Sequence, residues 1–141
     1  MIRFLARMQA WALLFLRLAV GFSMVYHSYG KVYTPEAFHA GHFLAPMQHF
    51  NEFVVHLGMP GWLGYVSTLS EFVGGLFLLV GLLTRFWAFL IAGNMVVAII
   101  TVNIHHGYAG SEYSLALVVM SWMLVAAGSG ALSLDRRMGI A

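Results

Sequence analysis

The chain has 141 residues, of which 61% are hydrophobic and 9% charged, and its formal net charge is +2. Soluble domains carry about 25% charged residues, so this composition excludes an ordinary water-soluble fold and points to an integral membrane protein. With no cysteine in the chain, disulfides, thiolate nucleophiles and thiolate metal sites are excluded too.

The first apolar stretch, residues 10–30, has the length of roughly 20 residues that a membrane span needs. Arg17 lies in its interior and no small-residue cleavage motif follows, so it is read as a retained helix and not as a secretory leader. In the next segment, 32–61, Pro46 stands where a first helical turn tolerates proline, and Gly58 and Pro60 stand where a helix stops. Between them Phe43, Met47, Phe50, Val54 and Leu57 recur at helical spacing, which predicts an amphipathic helix on the membrane surface. Three further spans are predicted at 62–83, 86–105 and 113–131, joined by the short connectors LTRF and HHGYAGSEY, as antiparallel neighbours require. The expected fold is all-α: a four-transmembrane-helix up-down bundle with an extra amphipathic surface helix between spans one and two, forming a single membrane domain over 1–141.

Arg3, Arg7, Arg85, Arg136 and Arg137 all fall at one end of such a bundle, and only Lys31 lies at the other. The positive-inside rule then puts both termini in the cytoplasm of a bacterial inner membrane, with the histidine-rich loop outside. The lipid bilayer is the expected partner. A nucleic-acid partner is not expected, because the basic residues form no clustered stripe.

Arg17 needs an answering group. At about 1.5 Å of rise per residue, Arg17 lies roughly 10 Å in from Trp11 and Glu71 roughly 14 Å in from Trp62, near one level of a core about 30 Å thick. Asn94 joins them at about 12 Å from Phe86. Helical phase gives each span one small or polar stripe: Arg17, Gly21, Met24, Ser28 and Lys31; Gly64, Ser67, Glu71, Gly75 and Leu78; Asn94, Ala98, Thr101 and His105; Ser114, Ser121 and Gly128. In lipid such stripes turn inward. The expectation is an Arg17–Glu71 ion pair, and it has two meanings. The pair either fixes helix register alone, or it lines a buried polar site with Asn94, Ser67, Ser121 and Thr101, since intramembrane ionisable groups mark substrate, proton and cofactor pathways. A third arrangement has Arg17 snorkel to the interface and leaves Glu71 bare.

All seven histidines, His27, His39, His42, His49, His56, His105 and His106, fall at the end opposite the arginines. His49 and His56 are two turns apart, about 10 Å, too far to share one ion with ligand nitrogens at about 2.0–2.1 Å. His39 and His42 have a chelating spacing only if their stretch is helical. His27, His105 and His106, near Lys31, Asn103 and Glu112, are the weak metal candidates, and His27 with His105 suits a bis-histidine haem. Two other readings stand beside that one: hydrogen bonding to headgroups, water and loop carbonyls, or proton exchange beside a quinone-like ligand.

Three runs carry a family likeness: RLAVGFSMVYHSYGK (17–31), EFVGGLFLLVGLLTR (71–85) and GSEYSLALVVMSWMLVAAGSGALSLD (110–135). In order and content the chain resembles the DoxX family of small bacterial membrane proteins over nearly its whole length. The family-type positions are Arg17, Gly21, His27, Gly30 and Lys31, then Glu71, Gly74, Gly75, Gly81, Thr84 and Arg85, then Glu112, Gly128, Gly130, Ser133, Leu134 and Asp135. The chain departs from the pattern at His-Ser-Tyr-Gly-Lys, where the family often reads His-Gly close to the lysine, and in the histidine-rich surface segment. The resemblance implies a four-helix membrane bundle and an association with redox work, since relatives look like membrane subunits of thiosulfate:quinone oxidoreductase or components assembled with thiol-handling enzymes.

The leading expectation is a redox-associated membrane subunit that binds a quinone-like or other small amphipathic ligand. Its site would comprise Arg17, Glu71, Asn94, Ser67, His27, Lys31, Thr101, His105 and Glu112, with Arg17 stabilising negative charge and Glu71 holding Arg17 or exchanging a proton. The alternatives are a non-catalytic anchoring subunit of a membrane complex and, third, metal or haem binding at the histidine-rich face. Another protein subunit or a second copy of the chain is the expected protein partner.

Overall fold

A computed structural model describes residues 2–140. Among the described residues seven α-helices follow in chain order: α1 (Ile2–Val32), α2 (Pro35–His39), α3 (Ala45–His56), α4 (Trp62–Val80), α5 (Thr84–Thr101), α6 (Gly107–Ala127) and α7 (Leu134–Met138). A single 3-10 turn, Asn103–His106, precedes α6. Four stretches are long and apolar enough to cross a membrane: Phe4–Val32, Trp62–Val80, Thr84–Thr101 and Asn103–Ala127. Among the described residues there is no strand. The chain is a membrane protein of all-helical, four-span architecture.

The four long helices form a closed ring in the order α1, α4, α5, α6, and the α1–α4 and α5–α6 pairs pack most extensively. Val20, Met24, Leu78, Ile91 and Leu124 fill the centre, while Phe15, Phe22, Val119 and Trp122 point outward, as lipid solvation allows. The amphipathic helix expected from 43–57 is α3. Pro46 sits in its first turn, Pro46 and Val54 are buried, and the helix packs on α4 and α1.

The small-residue stripes face one another as expected, and at one point they touch. A Cβ on Gly21 would lie 2.9 Å from the Gly75 carbonyl oxygen, and a Cβ on Gly75 would lie 2.9 Å from that of Gly21. Glycine here permits backbone-to-backbone packing of α1 on α4, the means by which helices associate in lipid. Gly75→Ala is expected to force the two helices apart and cost about 1–3 kcal/mol, as overpacking does. Thermal unfolding in detergent measures it, with Gly93→Ala, whose new methyl would meet nothing within 4 Å, as the unperturbed control.

Several span boundaries differ from the sequence expectation: α1 begins at Ile2 and not at 10, α5 ends at Thr101 and not at 105, and the fourth span differs at both ends. The fourth span begins earlier: the connector HHGYAGSEY supplies the end of the 3-10 turn and the first turns of α6. Gly107, at φ +71, breaks the path, and from Tyr108 onward only Gly110 weakens a helix without stopping it. The same span stops at Ala127 and not at 131, because Gly128 at φ +85 turns the chain into the irregular segment 128–133. Non-helical backbone at membrane depth must have its polar groups satisfied by protein, and this requirement locates Arg17.

Candidate functional site

Arg17 does not pair with Glu71. The residue is 1% exposed, and its guanidinium donates to the carbonyl oxygens of Ser129 (2.9 Å) and Leu132 (3.3 Å). It lies against Gly81, the left-handed end of α4, where any side chain would collide with it. Around it the segment 128–133 is tied down further. Ala131 N–H donates to Ala10, and the Ser129 and Ser133 hydroxyls share a 2.7 Å hydrogen bond. Asp135 accepts from the backbone N–H groups of Leu83 (2.6 Å) and Thr84 (2.8 Å). It thereby caps the start of α5 with negative charge at a helix N-terminus and holds Leu83 at φ +51. Arg85 donates to the Val125 carbonyl at the end of α6. Arg17 and Arg85 both satisfy carbonyls at this basic end of the bundle, and Arg17 does not snorkel.

The reason Arg17 and Glu71 miss one another is geometric. Gly21 and Gly75 mark the crossing of two antiparallel helices, and Arg17 and Glu71 lie four residues from it in opposite directions, about 12 Å apart in depth. Side chains also tilt toward their own helix N-terminus. On α1 that carries Arg17 away from Glu71 and brings Lys31 toward it, while on α4 it turns Glu71 toward Lys31.

Lys31 therefore takes the place expected for Arg17. Its Nζ lies 2.7 Å from Glu71 Oε2, with the Lys31 side chain 19% and the Glu71 side chain 3% exposed. Asn94 Nδ2 donates to Glu71 Oε1 at 2.7 Å, and Ser67 Oγ donates to the same oxygen at 3.4 Å. Because a carboxylate only accepts, Asn94 must turn its nitrogen toward Glu71, and its carbonyl oxygen then has no donor among the described residues. Lys31 Nζ also sits 4.2 Å from the centre of the Phe50 ring, a cation–π contact joining α3 to the buried pair.

These groups line a cavity of about 590 Å³ among α1, α3, α4, α5 and α6. Phe50, Val54, Leu57, Leu63 and Leu90 supply much of its apolar wall; Lys31, Ser67, Glu71, Asn94, Thr101 and Asn103 supply polar groups. Thr101 spends its hydroxyl on the Val97 carbonyl (2.8 Å), and Asn103 donates to Ser114 (2.7 Å). A large apolar pocket with a few convergent polar atoms has the character of a small-molecule site.

His27 lines the cavity at the seam between α1 and α6, its ring 6.1 Å from that of Tyr113. The other candidates lie elsewhere. His105 and His106 are exposed on the 3-10 turn and Glu112 is exposed on α6, none of them lining the cavity, and Arg17 is at the basic end. His49 is exposed, with Glu52 at 3.9 Å as its neighbour. Among the described residues no three of His, Cys, Asp and Glu come together to hold a metal ion. Sequence reasoning missed the Lys31–Glu71 pair and the carbonyl partners of Arg17. The tilt of side chains along antiparallel helices was the available signal for the first.

The model of the DoxX family matches residues 12–104, a stretch that contains Arg17, Lys31, Glu71 and Asn94. The chain is also similar to a protein of Bacillus subtilis (strain 168) named "Putative oxidoreductase CatD", with 34% identity over 85 residues, 60% of this chain and 63% of that protein. The similarity thus spans less than two thirds of the relative's length. No solved structure matches the chain.

Proposed function

The chain belongs to the DoxX family, and from that premise we propose that it is a redox-associated membrane subunit whose cavity binds a quinone-like ring. The observation that carries this reading is the convergence of Lys31, Glu71 and Asn94 at one side of an otherwise apolar cavity. The residues present suit such a group. Lys31 has ammonium hydrogens beyond the one given to Glu71, and these would bond a ring carbonyl. The Asn94 carbonyl oxygen would accept from a ring hydroxyl, and Phe50, Leu63 and Leu90 would flank the ring faces. When bound, a quinone supplies a two-electron, two-proton acceptor.

Within this proposal Lys31 Nζ stabilises negative charge growing on the ligand oxygen, the role the sequence suggested for Arg17. Glu71 Oε2 holds Lys31 in place. His27, exposed at the α1–α6 seam, exchanges protons with the water side. A chain without cysteine leaves thiol chemistry to a partner protein, which would deliver the electrons. The likeness to a protein named as an oxidoreductase supports the redox assignment, and the positive-inside rule favours a cytoplasmic position for the basic end in a bacterial inner membrane.

Titration of purified protein in nanodiscs with a tailed benzoquinone, read by quenching of tryptophan fluorescence, tests the proposal. Asn94→Leu is expected to weaken binding about tenfold, the equivalent of one lost hydrogen bond at about 1.4 kcal/mol. Absence of binding by the native chain, or unchanged affinity in Asn94→Leu, would refute the proposal.

A further inference from the structure

The cavity is not closed from the side. Its walls include Val66 of α4 and Phe89, Gly93 and Val97 of α5, and all four are exposed on the outside of the bundle. Phe89, Gly93 and Val97 are spaced by four and share one stripe of α5. Near their connecting turn α4 and α5 are in close contact, since a Cβ on Gly74 would lie 2.9 Å from the Trp87 ring. Farther along, this pair is packed less extensively than α1 with α4 or α5 with α6, and the Asn94–Glu71 bond bridges it on the cavity side. Gly93 sits at the gap with open space where its side chain would be.

The depth of this opening decides what can use it. Gly93 stands nine residues from Thr84 and eight from Thr101, about 12–14 Å from either end of the helix. That places it near the middle of a hydrocarbon core of about 30 Å, facing acyl chains and not water. The lining at the opening is apolar, whereas the hydrogen-bonding atoms lie deeper, on Lys31, Glu71 and Asn94.

We infer that the cavity exchanges its ligand with the bilayer interior through the gap between α4 and α5, and that the ligand is a carbonyl-bearing ring with an alkyl or isoprenoid tail. The inference rests on the proposed binding of a quinone-like ring and adds the route and the tail. A tail passing out between Val66 and Gly93 stays in lipid, so its methylenes, worth about 0.8 kcal/mol each against water, need no room in the cavity. The ring alone fills the polar end. A polar solute has no access to an opening at the bilayer middle, so this route admits only lipid-soluble compounds.

The test uses the full chain in phosphatidylcholine nanodiscs and two probes, dimethoxy-methyl-benzoquinone without a tail and the same ring bearing a decyl chain. Gly93→Phe fills the opening from α5 and Val66→Trp fills it from α4, while Val96→Phe places a phenyl ring at an exposed position that does not line the cavity. The first two are expected to weaken the decyl probe about tenfold more than the tail-less ring, a difference of about 1.4 kcal/mol, and the third is not. Equal losses for both probes, or no loss for either, would overturn the lateral route while leaving ring binding intact. If the native chain bound neither probe, the quinone reading would fail and the route with it. Thermal unfolding of each variant separates a blocked opening from a misfolded chain.

Discussion

Lys31→Met is expected to lower the stability of the folded bundle by about 3–5 kcal/mol, because removing one partner of a buried ion pair leaves the other charge uncompensated. The side chain of Glu71 is 3% exposed, and its remaining partners, Asn94 and Ser67, are neutral. Adding Glu71→Gln should restore most of the loss, since the amide keeps a hydrogen-bonding group beside Asn94 and Ser67 without a charge to bury. The double variant separates structure from function. It is expected to unfold close to the native temperature and still bind the decyl quinone about tenfold more weakly, for want of the ammonium. Detergent unfolding followed by tryptophan fluorescence measures the first quantity, and nanodisc titration the second. A Lys31→Met variant as stable as the native chain would remove the pair from the account of the fold.

Arg17→Leu is the second large effect, and it should fall on stability alone. Two charge-assisted hydrogen bonds to the Ser129 and Leu132 carbonyls vanish, at about 1.5–3 kcal/mol each. The irregular segment they serve then carries bare acceptors in a buried setting. Arg17→Lys should recover little, because a lysine lacks the planar fork that reaches two carbonyls at once. Quinone affinity in the folded fraction is expected to match the native value, since Arg17 does not line the cavity. A loss of affinity equal to that of Lys31→Met would return Arg17 to the binding site.

Much of the architecture was legible because lipid imposes it. A span in lipid must be apolar, its small and polar residues must turn inward, and the stripes read from helical phase include Gly21 and Gly75, the residues that touch. Proline and glycine placed α3 to within a few residues. Depth was less legible. Counting from Trp11 and Trp62 treats both tryptophans as markers of fixed boundaries, yet α1 runs from Ile2 to Val32, long enough to slide against such a ruler by a turn or more. That slippage, compounded by the tilt of side chains, exchanged the two lysine and arginine partners of Glu71. Asn94 and Ser67 were recognised as its neighbours because they share its level whichever cation answers it. The partners of Arg17 were out of reach for a different reason. They are backbone carbonyls of a segment expected to be helical as far as 131, and carbonyls leave no trace in a residue pattern.

The contrast between the two ends of the bundle has a mechanical consequence. At one end Arg17, Arg85 and Asp135 clamp three chain segments through directional bonds to backbone. At the other, α1, α4 and α5 are tied side chain to side chain, Lys31 and Asn94 both to Glu71, and α3 rests on α4 and α1 with Phe50 under the Lys31 ammonium. Side chains can change rotamer where backbone bonds cannot, so such a body is expected to flex like a clothes-peg, pivoting at the clamped end. Swelling to admit an occupant would then rearrange the flexible side chains around Glu71 and leave the backbone bonds of the hinge intact.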